Sequence, residues 1–388
     1  MPTTSSLERL REGNRRAITG LLASDGPMSR ADLARGTGLS RTTVSSLVAD
    51  LIGSGQVVET ADRGQPHKGG SGRPPLLVAL RTPSGGVAGV DIGHRHVRVA
   101  VADHRGTVLA EDFTAVDVDE DGVDALDLAA RMVRTTLTSA GLSASDLHGV
   151  GMCVPAPLDR RSTRIRAGIL PGWRDLSPAD ELRRRLGVPV FADNDANLGA
   201  LAELNHGAAR GAADVVYVKV ASGLGAGIVL GGRLHRGATG IAGEVGHVQV
   251  GEEGQVCRCG NRGCLETLVA APRLLAVLQP AYDEELSVER VLELDLAGDA
   301  GVRRVLSDAG RAVGRALADL CNSLNPEAVV LGGSLGTSPS LGDGVRASVD
   351  RYAQPDTAAA VRVVSGELGD RAEVVGAVSL ALTRVASA

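Results

Sequence analysis

Four residues in one short stretch have the types and the spacing to hold a metal ion. His247, Cys257, Cys259 and Cys264 form an H-x9-C-x-C-x4-C set. Zinc takes four tetrahedral ligands, and three cysteines with one histidine is a common structural combination. Gly260 and Gly263 let the chain turn sharply enough to bring three thiolates onto one ion. The chain has five cysteines, the other two being Cys153 and Cys321. Clustering of this kind in a reducing compartment points to metal rather than to disulfides. The expected centre is one structural Zn2+ per chain, closed, with no open position for catalysis.

A second group of residues has the chemistry of a DNA-reading helix. In residues 1–80, Leu7 to Ala23 reads as a helix that Asp25-Gly26-Pro27 ends. Ser29, three residues before Asp32, resembles a capping box opening a short helix. After the turn Gly36-Thr37-Gly38, Ser40 is a good N-cap for a third helix. There Val44, Leu47, Val48 and Leu51 make one apolar face. Arg41, Thr42, Thr43 and Ser45 lie off that face at the helix start, where the second helix of a helix-turn-helix meets base edges. Strands are predicted over Val57 to Thr60 and Leu76 to Leu80, with a Gly-, Pro- and Arg-rich wing between them. Arg73 in that wing suits a narrow minor groove. Residues 1–80 carry a net charge of +3, while the whole chain of 388 residues carries −5. A basic head on an acidic body fits a head that meets nucleic acid.

The rest of the chain must position the cysteine cluster, and its pattern is α/β. Val87 to Asp103 reads as two adjacent strands joined near Gly93 to His96, and a third follows near Thr107 to Phe113. Leu126 to Ala140 is helical, and His148 to Val154 and Val188 to Ala192 are strands. A helix follows Asp193-Asn194-Asp195-Ala196-Asn197. Val215 to Val220 and Gly227 to Leu230 flank a glycine loop, Arg303 to Leu324 is helical, and Ala328 to Leu331 is a strand opening into Gly332-Gly333. Two units that each open strand–Gly–strand indicate two similar lobes with a cleft between them. Aromatics are only 2% of residues, so Ala, Val and Leu must fill the core. No run approaches the roughly 18 apolar residues of a membrane span, and Met1 to Gly20 lacks a signal peptide's apolar core, so a cytoplasmic protein is expected.

Three motifs carry a specific resemblance: Asn194-Asp195-Ala196-Asn197, Gly240 to His247 (GIAGEVGH) and Cys257 to Thr267 (CRCGNRGCLET). Through them residues 87–388 resemble the ROK family (repressors, open reading frames and sugar kinases). With the winged head, nearly the whole chain looks like a ROK transcriptional regulator. The resemblance implies an N-terminal winged helix-turn-helix over residues 1–80 and a two-lobed actin/hexokinase-like (ribonuclease H-like) ATPase fold. Its first lobe would span 81–192 plus the C-terminal helix 374–388, and its second 193–373. The resemblance also assigns zinc to the same four positions and sugar contacts to Asn194, Asp195, Glu244, His247 and Glu266, with His247 meeting metal and hydroxyl through different ring nitrogens. Asp195 stands where the kinases of the family keep their base.

Two departures bear on activity. ROK kinases open with Asp-Ile-Gly-Gly-Thr, whereas this chain has Asp91-Ile92-Gly93-His94-Arg95-His96. Bulky side chains there fill the space and remove the close backbone approach that a phosphate needs. Ile169 precedes Leu170-Pro171-Gly172-Trp173 where family members often have Asn, so the ligand is not inferred to be glucose-like. The expectation is a sugar-responsive DNA-binding regulator, a repressor rather than an enzyme. Its partners would be double-stranded operator DNA, a sugar or sugar phosphate, and a second copy in a homodimer or dimer of dimers. An active ROK sugar kinase with a DNA-binding head is the alternative, and control by a protein partner is a third reading.

Overall fold

The structure is a computed structural model that describes residues 6–63, 75–80, 85–159, 163–165, 170–174 and 176–387. The chain divides into two compact units, Met1–Ser84 and Gly85–Ala388.

The first unit packs three helices on a small antiparallel sheet. Helix Ser6–Asp25 ends where Gly26-Pro27 demands it. A two-residue strand not anticipated from sequence, β1 (Met28–Ser29), pairs with β3 (Leu76–Leu80), which also pairs with β2 (Val57–Arg63). The capping box is present. Ser29 Oγ accepts from Asp32 N, and Asp32 Oδ2 accepts from Ser29 N, opening helix Arg30–Thr37. Ser40 caps helix Arg41–Gly53, whose Val44, Leu47, Val48 and Leu51 are buried with Ile18, Leu22 and Leu33. β2 runs three residues beyond the expected Thr60 because a register shift between Glu59 and Arg63 lets an irregular stretch keep pairing. Most of the wing, with Arg73, lies outside the described residues.

In the second unit two five-stranded sheets share one topology. The first has the order β6-β5-β4-β7-β8, made of β4 (Gly86–Gly93), β5 (His96–Asp103), β6 (Val108–Ala115), β7 (Leu147–Val154) and β8 (Val190–Asn194). The second has the order β11-β10-β9-β12-β13, made of β9 (Val215–Val220), β10 (Leu224–Leu230), β11 (Arg233–Leu234), β12 (Ala328–Gly332) and β13 (Arg362–Ser365). In each, a three-stranded antiparallel meander is extended by two parallel strands. The central strands are buried on both faces, so they read as continuous apolar runs. β8 extends past the expected Ala192, pairing Asp193 and Asn194 with Cys153 and Val154. Strand therefore passes directly into helix Asp195–His206.

The two long helices behave differently. Ala372–Val385 packs on β4 and β7 and along helix Asp195–His206, with Val374, Ala377, Val378 and Ala381 buried. Ala300–Leu324 packs along a helix not foreseen from sequence, Pro339–Tyr352, around Val313, Leu317, Leu341 and Val345. Among the described residues no helix is long and apolar enough to cross a membrane.

Candidate ligand cleft, metal centre and DNA-facing helix

The cysteine cluster is built by a short loop folded on itself. Isolated bridges join Gln249 to Cys264 and Val256 to Arg262, and Cys257 N donates to Asn261 O at 2.7 Å. Gly263 adopts φ +69, and a Cβ there would collide with Gly251 O, so only glycine fits. The ligand atoms of His247, Cys257, Cys259 and Cys264 all lie within 4.8 Å of one another. Cys259 Sγ stands 3.7 Å from Cys264 Sγ, and Cys257 Sγ 3.6 Å from His247 Nδ1. Sulfurs on a tetrahedral ion with bonds of about 2.3 Å stand about 3.8 Å apart. The four groups fit one metal ion.

His247 turns its Nδ1 to the cysteines and its Nε2 to Glu244 Oε2, 3.5 Å away. Nε2 faces a cleft of about 610 Å3 that is also lined by Asn194, Asp195, Glu244 and Glu266. All five residues expected around a sugar thus line one space. Their free valences differ, however. Asn194 is the N-cap of helix Asp195–His206, its Oδ1 accepting from Ala196 N and Asn197 N. Asn197 does not cap the helix. It is buried and donates to Asp193, which also accepts from Arg236. Glu266 Oε2 accepts from Leu224 N at 3.0 Å, so one of its oxygens holds the glycine loop. Burial, then the charges of Asp195 and Glu266, push Glu244 up to about 7. Arg258, His94 and Lys219 line the same cleft and were not anticipated there.

The first turn of the fold is closed by its own side chains. Gly93 pairs with His96 at the end of the hairpin, and a Cβ on Gly93 would strike the His96 ring. His96 Nε2 lies 2.9 Å from Asp91 Oδ2, and its ring stacks on Phe113. His94 Nδ1 lies 2.6 Å from Asp119 Oδ1. Arg95 pairs loosely with Asp117 at 3.6 Å. Each basic side chain of the turn therefore faces a carboxylate of its own.

Adjoining the cleft is a second, open pocket, which shares His94, Pro155, Asp195, Lys219 and Ser222 with the first. Lys219 was missed in sequence, although a lone cation in the apolar run Val-Val-Tyr-Val-Lys-Val was a usable signal. Its Nζ donates to Asp195 Oδ2 at 2.9 Å, while Asp195 Oδ1 accepts from Ala196 N. Burial pulls the ammonium down, but the charges of Asp195, Glu373 and Asp91 outweigh it and hold Lys219 well above the usual lysine range.

On the helix Arg41–Gly53, Arg41, Thr42 and Ser45 are exposed. Thr43 is half-buried, and its hydroxyl lies 2.8 Å from the Ser40 cap, so it is less available than its neighbours.

A two-lobed unit with a metal-ligand cluster at its cleft, preceded in sequence by a helix-turn-helix unit, defines a narrow class. The ROK family model matches residues 87–384, and a winged helix-turn-helix DNA-binding model matches residues 11–58. The chain belongs to the ROK family. The xylose repressor of Bacillus subtilis (strain 168) is 30% identical over 370 residues, covering 95% of this chain and 94% of that protein. A solved ROK family transcriptional regulator, a homologue of the E. coli MLC protein, matches in fold with a TM-score of 0.76 at 24% identity over 97% of this chain and 96% of that one. A ROK family glucokinase from Streptomyces griseus, solved with glucose and AMPPNP, matches with a TM-score of 0.68 at 29% identity over 77% of this chain and 100% of that one. The family thus includes both repressors and kinases, and this chain has the domain layout of the repressors.

Proposed function

We propose that this protein is a sugar-responsive repressor of carbohydrate-metabolism genes that works in the cytoplasm and binds its sugar without turning over ATP. The observation that carries the reading is the convergence of Asn194, Asp195, Glu244, His247 and Glu266 on one cleft in a chain that also has a winged helix-turn-helix. A ring of hydroxyls needs this density of acceptors and donors at fixed angles. Zinc on His247, Cys257, Cys259 and Cys264 would hold Glu244 and Glu266 in place from both sides. The lobes, 81–192 with 374–388 and 193–373, would close on the ligand. In a homodimer, or a dimer of dimers, closure would alter the spacing of two heads that must meet half-sites a fixed distance apart.

Gel shifts on the protein's own upstream DNA, with a panel of monosaccharides and their phosphates, test the switch. One of them should weaken binding by roughly fivefold to 150-fold, the usual range of coupling between sites. The Asp195→Asn variant should bind the same DNA and ignore that sugar. A panel in which no compound changes affinity sinks the receptor reading in favour of control by a protein partner.

Arg41 is the strongest candidate for a base contact, with Thr42, Thr43, Ser45 and the wing's Arg73 beside it in the proposed interface. Arg41→Ala should weaken operator binding by about 1–3 kcal/mol, roughly fivefold to 150-fold. Because Arg41 is exposed, the melting temperature should not move. Operator affinity equal to that of the parent would remove Arg41 from the interface.

One observation favours the kinase alternative: Gly223 and Gly225 of the glycine loop line the cleft. A coupled assay for ADP over the same sugars decides between the two. Sugar-dependent ADP formation at ordinary enzyme rates would make the protein a kinase with Asp195 as its base.

A further inference from the structure

The cleft and the pocket adjoining it meet at a single cation. Lys219 on β9 reaches Asp195 Oδ2 at 2.9 Å and Glu373 Oε1 at 3.1 Å. The second contact is an ion pair without hydrogen-bond geometry, so Glu373 Oε1 has no hydrogen-bond partner among the described residues. Asp91 lies close enough for its charge to act on both Lys219 and Glu373. Asp91 is 1% exposed. His96 holds one of its oxygens, and the other has no hydrogen-bond partner among the described residues. Two acids therefore contact the ammonium directly, and the charge of a third, Asp91, reaches it, each from a separate element. Asp91 comes from β4, Asp195 from the start of helix Asp195–His206, and Glu373 from the first turn of helix Ala372–Val385.

Buried carboxylates are tolerated only when their charge is compensated. Oxygen donors converging from separate elements are also what a hard divalent cation takes as ligands. The geometry points to Lys219 as the resident cation of this cleft: its ammonium stands where a divalent metal ion would otherwise sit, and the pocket adjoining the sugar cavity therefore takes up no metal–nucleotide complex. Phosphoryl transfer depends on metal ions that bridge and neutralise the phosphates. An ammonium tied to two carboxylates and fixed to the middle of a sheet cannot serve that purpose. The same tie lies on Asp195 Oδ2, and Ala196 N donates to Oδ1, so each oxygen already accepts one hydrogen bond. The inference rests on the cleft itself and holds whichever sugar the protein binds.

The test uses full-length, zinc-loaded protein and bare metal ions. Bound Mn2+ is counted by electron paramagnetic resonance, and melting curves are recorded with and without Mg2+. The wild type should take up no Mn2+ in the cleft, and Mg2+ should leave its melting temperature unchanged. Lys219→Ala should bind one further Mn2+ per chain, roughly tenfold or more tighter than any site on the wild type, and Mg2+ should raise its melting temperature. Adding Asp91→Asn to Lys219→Ala should abolish both effects. A folded Lys219→Ala protein with no extra Mn2+, or uptake that survives Asp91→Asn, overturns the inference. If Lys219→Ala folds only with Mg2+ present, that rescue supports it. If it does not fold at all, Lys219→Gln takes its place. Calorimetry of the wild type with AMP-PNP gives an independent decision: Mg2+-dependent binding there would also overturn the inference.

Discussion

Replacing Cys264 with serine should remove the metal and the sugar response together. Cys264 is fully buried, and its sulfur lies 3.7 Å from that of Cys259. The main chain around it is part of the cleft wall. Leu265 N donates to Val248 O, Thr267 Oγ1 donates to Cys264 O, and Glu266 reaches Leu224 N. A serine hydroxyl is a poor zinc ligand, and three remaining ligands hold the ion weakly. Loss of a structural metal ranks among the few single changes that cost more than about 4 kcal/mol. For a unit of this size that corresponds to a fall in melting temperature of roughly 6 °C or more. Elemental analysis should find about one zinc per chain in the parent and far less in the variant. Cys321→Ser is the control. Cys321 is a buried cysteine that packs in the core around Val313 and Leu317, apart from the cluster, and its replacement should leave zinc content unchanged. A Cys264→Ser protein with full zinc content, or a chelated parent that melts where the loaded one does, would remove the metal from the account of the cleft.

The cysteine cluster was legible because its geometry is local. Three ligands fall within eight residues, and the loop that folds them needs only its own turns. The helix-turn-helix was legible for the same reason: Ser29, Asp32 and Ser40 cap helices that begin beside them. Sequence could not show how the acceptors of the cleft are shared. Asn194 spends its oxygen on the helix cap, and Glu266 spends one on the glycine loop, because each is bonded to a chain segment whose approach only the folded lobe decides. The spoiled first turn was expected, but the way it closes was not. His94 is held by Asp119, 25 residues away on the far side of the β5–β6 hairpin. Helix Pro339–Tyr352 escaped notice because its glycines and aspartates are weak helix formers. Packing of Leu341, Val345 and Val349 into the core holds it instead. Lys219 shows the same limit most sharply, since one of its two partners lies on the last helix of the chain.

Glu203→Ala should be the most damaging change outside the metal centre, at a residue with no motif to mark it. Glu203 is 1% exposed, near the end of the helix whose first turn carries Asp195. Its Oε2 accepts from Ala208 N at 2.7 Å and Glu367 N at 3.1 Å, and its Oε1 accepts from Leu368 N at 2.9 Å. One buried carboxylate thus joins the turn after this helix to the segment leading into the C-terminal helix, 165 residues later in sequence. Lys219 makes a second tie between the same two helices, through Asp195 and Glu373. Alanine would leave three main-chain N–H groups without their charged acceptor, each such bond contributing about 1.5–3 kcal/mol before water offsets part of the loss. The expected cost is about 3–6 kcal/mol, or a melting temperature lower by roughly 5–9 °C. Glu203→Gln keeps the shape but sets an amide N–H against at least one donor, so it should recover only part of the loss. Hydrogen exchange should report opening at residues 366–368 and in the first turn of helix Ala372–Val385 before the rest of the unit. If Glu203→Ala melts with the parent, the two helices are held by their apolar contacts alone, with Val374, Ala377 and Leu198 sufficient to keep the cleft floor in place.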